Sequence, residues 1–112
     1  MELNEYQEKA MTTCTESSNN FSYMALNLIG ELGELMGKIA KRIRKDEAKI
    51  VNNHIILNND IDLQMEAGDA FWQFAGLCKV MGWKLEDIAQ LNLDKLANRK
   101  ERNVIIGEGD DR

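Results

Sequence analysis

Four acids stand out by their spacing. Glu31 and Glu34 lie three residues apart, as do Glu66 and Asp69, and each pair sits among Leu, Ile, Met and aromatic residues. On a helix that spacing puts both acids of a pair on one side of one turn, so two such turns face to face make a four-carboxylate box. Like charges in an apolar setting repel one another and lose hydration, and they stay ionised only around something doubly positive. An oxygen-only donor set suits Mg²⁺, or Mn²⁺ in its place, whereas Zn²⁺ would want His or Cys beside it. Either pair alone is explained by a solvated charged face. Each pair, however, also carries a glycine between its acids, Gly33 and Gly68. Glycine inside a helix costs roughly 1 kcal/mol relative to alanine, which points to something that approaches closely there. A di-iron site would need Glu-x-x-His on two helices, and the single histidine, His54, falls in a stretch without helical period.

Cations follow the acids. Lys38 comes four residues after Glu34, the spacing of an ordinary helix-surface ion pair. Asn92, Lys95 and Arg99 recur at i, i+3 and i+7 and form either a solvated stripe or, if they face the box, a point charge and a planar fork for phosphate oxygens. Lys41, Arg42, Arg44 and Lys45 have a plainer explanation, because cations suit the negative end of a helix. Acids for a divalent metal and cations for phosphate, without a Gly-x-x-x-x-Gly-Lys loop, describe a site in which metal rather than backbone holds a polyphosphate. With no activated Ser or Cys in evidence, metal-assisted hydrolysis by water is the simplest reaction.

Four helices have to position these groups. Leu3, Tyr6, Ala10, Met11 and Cys14 give a first amphipathic helix over 3–18, and the Ser-Ser-Asn-Asn run at 17–20 breaks the chain and caps the next one. A second helix runs from about Phe21 to Lys45 with an apolar stripe of Phe21, Ala25, Leu28, Leu32, Leu35, Ile39 and Ile43. Residues 46–60 lose the period and read as loop with a short extended piece at 55–57. The third helix, about Asp60 to Met81, is apolar on nearly every side, which implies burial all round and a subunit partner. The fourth, about Leu85 to Asn103, presents Leu85, Ile88, Leu91 or Asn92, Leu96 and Arg99. The fold class is thus all-α and four-helix-bundle-like, with one domain over 1–103 and a tail over 104–112.

Composition narrows the function. The 112 residues carry a net charge of −5 with no long basic run, so a nucleic-acid or anionic-membrane surface is not expected. The acidic start, Met1 to Glu5, has no apolar signal core, and the most apolar stretch, 70–83, is interrupted by Gln73 and Lys79; a cytoplasmic protein is expected. Cys14 and Cys78 lack CxxC spacing and read as small core residues.

Taken in order, Glu31, Glu34 and Lys38, then Glu66 and Asp69 followed by Trp72, then Asn92, Lys95, Leu96 and Arg99, and last Gly107, Gly109, Asp110 and Arg112 resemble the MazG-like all-α nucleoside triphosphate pyrophosphohydrolases. The likeness extends to the opening Leu3, Tyr6 and Gln7. It implies Mg²⁺-dependent cleavage of a (deoxy)nucleoside triphosphate between the α and β phosphates, releasing the monophosphate and pyrophosphate, in nucleotide-pool house-cleaning. Glu31, Glu34, Glu66 and Asp69 are then the metal-holding, catalytic acids, and Lys38, Asn92, Lys95 and Arg99 surround the phosphates. It also implies a homo-oligomer, a tetramer built from dimers, with sites shared between chains. Two features depart from the family pattern: the 31 residues from Leu35 to Met65 make a long connection, and Gln73 stands where an aromatic often follows the tryptophan. Base stacking must then come from Trp72, otherwise a core residue, or from the partner, unless Gln73 reads the base by hydrogen bonds. The competing readings are a non-enzymatic helical interaction module and, within the enzyme class, hydrolysis of dUTP or phosphoribosyl-ATP on a related scaffold.

Overall fold

The structure is a computed structural model, and it describes residues 1–103. The expected tail over 104–112, with its Gly107 to Arg112 motif, lies outside the described residues. The chain is mostly helical: α1 (Leu3–Met11), α2 (Phe21–Arg44), a hairpin of β1 (Ala48–Val51) and β2 (His54–Leu57), α3 (Ile61–Val80) and α4 (Leu85–Glu101).

Local chemistry explains the boundaries. The first helix ends at Met11, short of the expected 18, because the Thr12 and Thr13 hydroxyls donate back to the Lys9 and Ala10 carbonyls; such local bonds compete with helix continuation. A single 3₁₀ turn, Glu16–Ser18, follows. The Asn20 side chain then caps α2 by accepting from the Tyr23 amide at 2.8 Å. At the far end of α3 the chain turns through Gly82, whose φ of +77° suits a residue with no Cβ.

Where irregular loop was expected, the chain forms a two-stranded antiparallel hairpin with Val51 opposite His54. Asn52 and Asn53 fill its two-residue turn at φ of 51° and 62°. That is the left-handed pair of a type I′ turn, for which asparagine is among the best residues after glycine. The hairpin reverses the chain, so α3 runs back along α2. Arg42 meets Asp62, Lys38 meets Glu66, and Asn27 meets Gln73; the falling and rising numbers show the pair to be antiparallel.

The core sits at one end of that pair. Met11, Met24, Ala75, Cys78 and Leu85 form it, with Tyr6, Trp72, Phe74, Leu77 and Ile88 packed around. A Cβ on Gly76 would come within 2.4 Å of the Met24 sulfur, so the bare backbone there lets Met24 bury itself fully. This differs from the expected α2 stripe. Met24, absent from that stripe, is the buried residue of the helix, while Phe21, Leu32 and Ile43 are exposed. α3 also departs from burial on every side, since Met65, Phe71 and Met81 are exposed. A second apolar flank of α2 is open: Leu26 is 72% exposed and Ile29 71%, with Met36 and Ile43 continuing the line. The radius of gyration is 17.4 Å, against about 13 Å for a compact domain of this length. Within one chain the architecture is an antiparallel helix pair with α1 across α3 and α4 on α1, not a closed bundle. Among the described residues no helix is long and apolar enough to cross a membrane.

Candidate active site

Halfway along the α2–α3 pair, away from the core, three of the four acids converge. Glu31, Glu34 and Glu66 each offer a carboxylate oxygen, and these oxygens all lie within 4.8 Å of one another. Glu31 and Glu66 are partly buried and Glu34 is exposed. Asp69, one turn along α3, is exposed and does not join this close group, but its charge is felt by both Glu31 and Tyr6. Burial, followed by the charges of Glu34, Asp69 and Glu66, pushes the Glu31 carboxyl above its ordinary value, and the Asn27 amide opposes the shift.

The hydrogen bonding of this group is incomplete. One oxygen of Glu31 and one of Glu66 are fully buried without a partner. A buried, unpartnered carboxylate oxygen is costly, and two of them beside a third carboxylate form a donor set for a hard cation. The residues therefore fit Mg²⁺ or Mn²⁺, which take oxygen ligands, better than a softer metal.

Lys38 reaches across to α3 rather than back along its own helix. Its ammonium lies 2.5 Å from a Glu66 oxygen, and the Glu66 bond is the main cause that raises its pKa. One turn further along α2, Arg42 donates to the Asn58 carbonyl and to Asp62, which holds the Asp62 carboxyl below its usual range. Lys38, Lys41, Arg42 and Lys45, together with Glu47 and Asp62, line a cleft of about 250 Å³. A larger cleft of about 490 Å³ lies between α1 and the turn after α3, lined in part by Lys79, Trp83 and Lys84. Lys79 is thirteen residues beyond Glu66, about 20 Å at helical rise, so that cleft stands apart from the acids.

The remaining expected site residues are placed as follows. Trp72 donates its indole N–H to the Ala10 carbonyl and the Thr13 hydroxyl, each at 3.0 Å, and joins the packing around the core. Gln73 is 2% exposed; its carbonyl accepts from Asn27 at 3.0 Å and its amide points at the Met24 sulfur. Both ends of its amide are thus engaged within this chain, which weighs against the alternative in which Gln73 reads the base by hydrogen bonds. Asn92 and Lys95 are exposed on α4, and Arg99 is buried there. They ride on α4, which packs chiefly on α1 rather than on the α2–α3 pair. Among the described residues a Cβ on Gly33 or Gly68 would meet nothing within 4 Å, so none of them makes the close approach expected at these glycines.

Asn27 was missed. It lies one turn before Glu31 and its amide reaches Gln73, Tyr23 and, at 3.5 Å, a Glu31 oxygen. A lone amide within the apolar run from Met24 to Ile29 was the available signal.

The profile of the MazG nucleotide pyrophosphohydrolase domain matches residues 19–104, which span α2, the hairpin, α3 and α4. The Gene 37 protein of Mycobacterium phage L5 is 39% identical over 97 residues, covering 87% of this chain and 81% of the phage protein. No solved structure matches.

Proposed function

The chain belongs to the MazG nucleotide pyrophosphohydrolase family, and from that premise we propose that it hydrolyses a nucleoside triphosphate, of the deoxy series, between the α and β phosphates in a Mg²⁺-dependent reaction. Water is consumed, and a nucleoside monophosphate and pyrophosphate are released, in nucleotide-pool house-cleaning in the cytoplasm. The observation that carries the reading is the pair of buried, unpartnered oxygens on Glu31 and Glu66 beside Glu34.

Glu31, Glu34 and Glu66 would hold the metal, with Asp69 one turn away to complete the set. Bound there, Mg²⁺ supplies Lewis-acid chemistry for phosphoryl transfer. The side chains around it have separate tasks. Asn27 steadies one oxygen of Glu31, and the other, which has no partner, would ligate the metal. Lys38, bonded to Glu66 at the edge of the box, would offer its ammonium to charge growing on the leaving pyrophosphate. Asn92, Lys95 and Arg99 reach phosphates only from a neighbouring chain. That arrangement agrees with a homo-oligomer, a tetramer of paired dimers, which would also cover the open apolar line from Leu26 to Ile43.

Incubating the protein with a panel of nucleoside triphosphates, Mg²⁺ or EDTA, and identifying products by chromatography tests the reading. Monophosphate and pyrophosphate in equal amounts, formed only with metal, are expected. Diphosphate and orthophosphate, or turnover indifferent to EDTA, would contradict it.

A further inference from the structure

The basic end of α2 does more than offset the helix dipole. A dipole effect is indifferent to which side of the helix carries the charge, whereas Lys38, Lys41, Arg42 and Lys45 recur at i, i+3, i+4 and i+7, which is one flank. All four line a single cleft. Arg44, the remaining cation of these turns, is not among its lining residues. Four cations against two acids, Glu47 and Asp62, make the cleft positive in a chain whose net charge is −5.

The cations of the cleft are not equally engaged. Arg42 is tied to Asp62 and the Asn58 carbonyl, while Lys41 and Lys45 are exposed and extend from the same flank. Lys38 lines the cleft and also meets Glu66 of the acid box, so one side chain links the two. At helical rise Lys41 lies about 10 Å and Lys45 about 16 Å along the axis from Glu34, and the flexible four-carbon stem of each lysine together with the length of a triphosphate narrows that span.

We propose that this cleft is the seat of the β,γ-pyrophosphate unit of the substrate, and of the pyrophosphate product, with Lys41 and Lys45 as its binding residues. The inference rests on the function proposed above and adds a direction to it. The triphosphate lies along α2 with its α-phosphate at the acids and its terminal phosphates toward the hairpin. The nucleoside then extends toward Asn27 and the N-terminal half of α2.

The test measures binding of inorganic pyrophosphate and of a nucleoside monophosphate, each with Mg²⁺, to three forms of the full chain: wild type, Lys41→Ala/Lys45→Ala, and Lys79→Ala/Lys84→Ala. The last removes the same charge at the remote cleft. Pyrophosphate binding is expected to weaken about tenfold in Lys41→Ala/Lys45→Ala, as for loss of one charge-assisted hydrogen bond. Monophosphate binding and Mn²⁺ binding should hold, and Lys79→Ala/Lys84→Ala should behave as wild type. Unchanged pyrophosphate affinity, or an equal loss in both double variants, overturns the proposal. If triphosphates are hydrolysed while the lysines prove silent, the cleft assignment falls and the reaction stands. If pyrophosphate depends on Lys41 and Lys45 but no triphosphate is cleaved, the cleft stands and the reaction falls.

Discussion

Two polar groups buried in this molecule have opposite fates. At the core end, Gln7 is almost fully enclosed and uses both ends of its amide. It donates to the Ala75 and Trp83 carbonyls, each at 3.1 Å, and accepts from the Leu85 amide at 3.1 Å. It thereby ties α1 to the end of α3 and the start of α4. In the middle of the α2–α3 pair, Glu31 and Glu66 each leave a buried oxygen with nothing to bind. Buried polar groups are normally satisfied, and an exception calls for a reason. The complete group holds the fold together; the incomplete one is the donor set of the proposed metal site.

That contrast can be broken first at the acids. Glu34→Gln or Asp69→Asn should cut triphosphate turnover by at least about a hundredfold, the scale of losing one electrostatic contact to the transition state. Circular dichroism and oligomer size should stay unchanged. Near-normal turnover in either variant would remove that residue from the site.

The opposite change belongs to the core. Gln7→Ala strands the Leu85 amide and two carbonyls, at about 1–3 kcal/mol for a buried group left unsatisfied. A thermal melt should fall by roughly 4–8 °C or more, with the activity of the folded fraction retained. Lost activity at unchanged stability would show that Gln7 is not structural.

A smaller effect of the other sign sharpens the comparison. Glu31 has its carboxyl raised above an ordinary 4.5 by burial and then by its acidic neighbours, so the metal-free fold binds this proton more tightly than the unfolded chain does. Stability from this group is therefore present below pH 4.5 and is lost as pH rises through the raised value. Without metal at neutral pH, Glu31→Gln should melt slightly above wild type. With three like-charged neighbours at about 0.2–0.5 kcal/mol each, the gain is on the order of 1 kcal/mol. The gain should vanish below pH 4.5, and a variant less stable than wild type at pH 7 would contradict the repulsion.

The same contrast explains what the amino-acid sequence revealed. The helices were legible because each carries its own signals, such as the Asn20 cap and the turn at Gly82. The acid pairs were legible because their spacing is local. The hairpin was obscured because Asn52 and Asn53 read equally as loop residues and as a type I′ turn. Lys38 looked like a partner for Glu34 because helical spacing cannot show a reach across to Glu66. The placement of Gln73 was hidden for a similar reason: whether a polar residue on an apolar helix faces a ligand or a buried partner depends on Asn27, forty-six residues earlier. The expected bundle closed less than foreseen because the flank from Leu26 to Ile43 is exposed, and periodicity does not distinguish an exposed apolar flank from a core one.

The most direct measurement is the anomalous scattering of a crystal soaked in Mn²⁺. A peak bounded by oxygens of Glu31, Glu34 and Glu66 is expected, with Lys38 drawn away from Glu66. Carboxylates turned apart into solvent, with no peak among them at saturating metal, would contradict it.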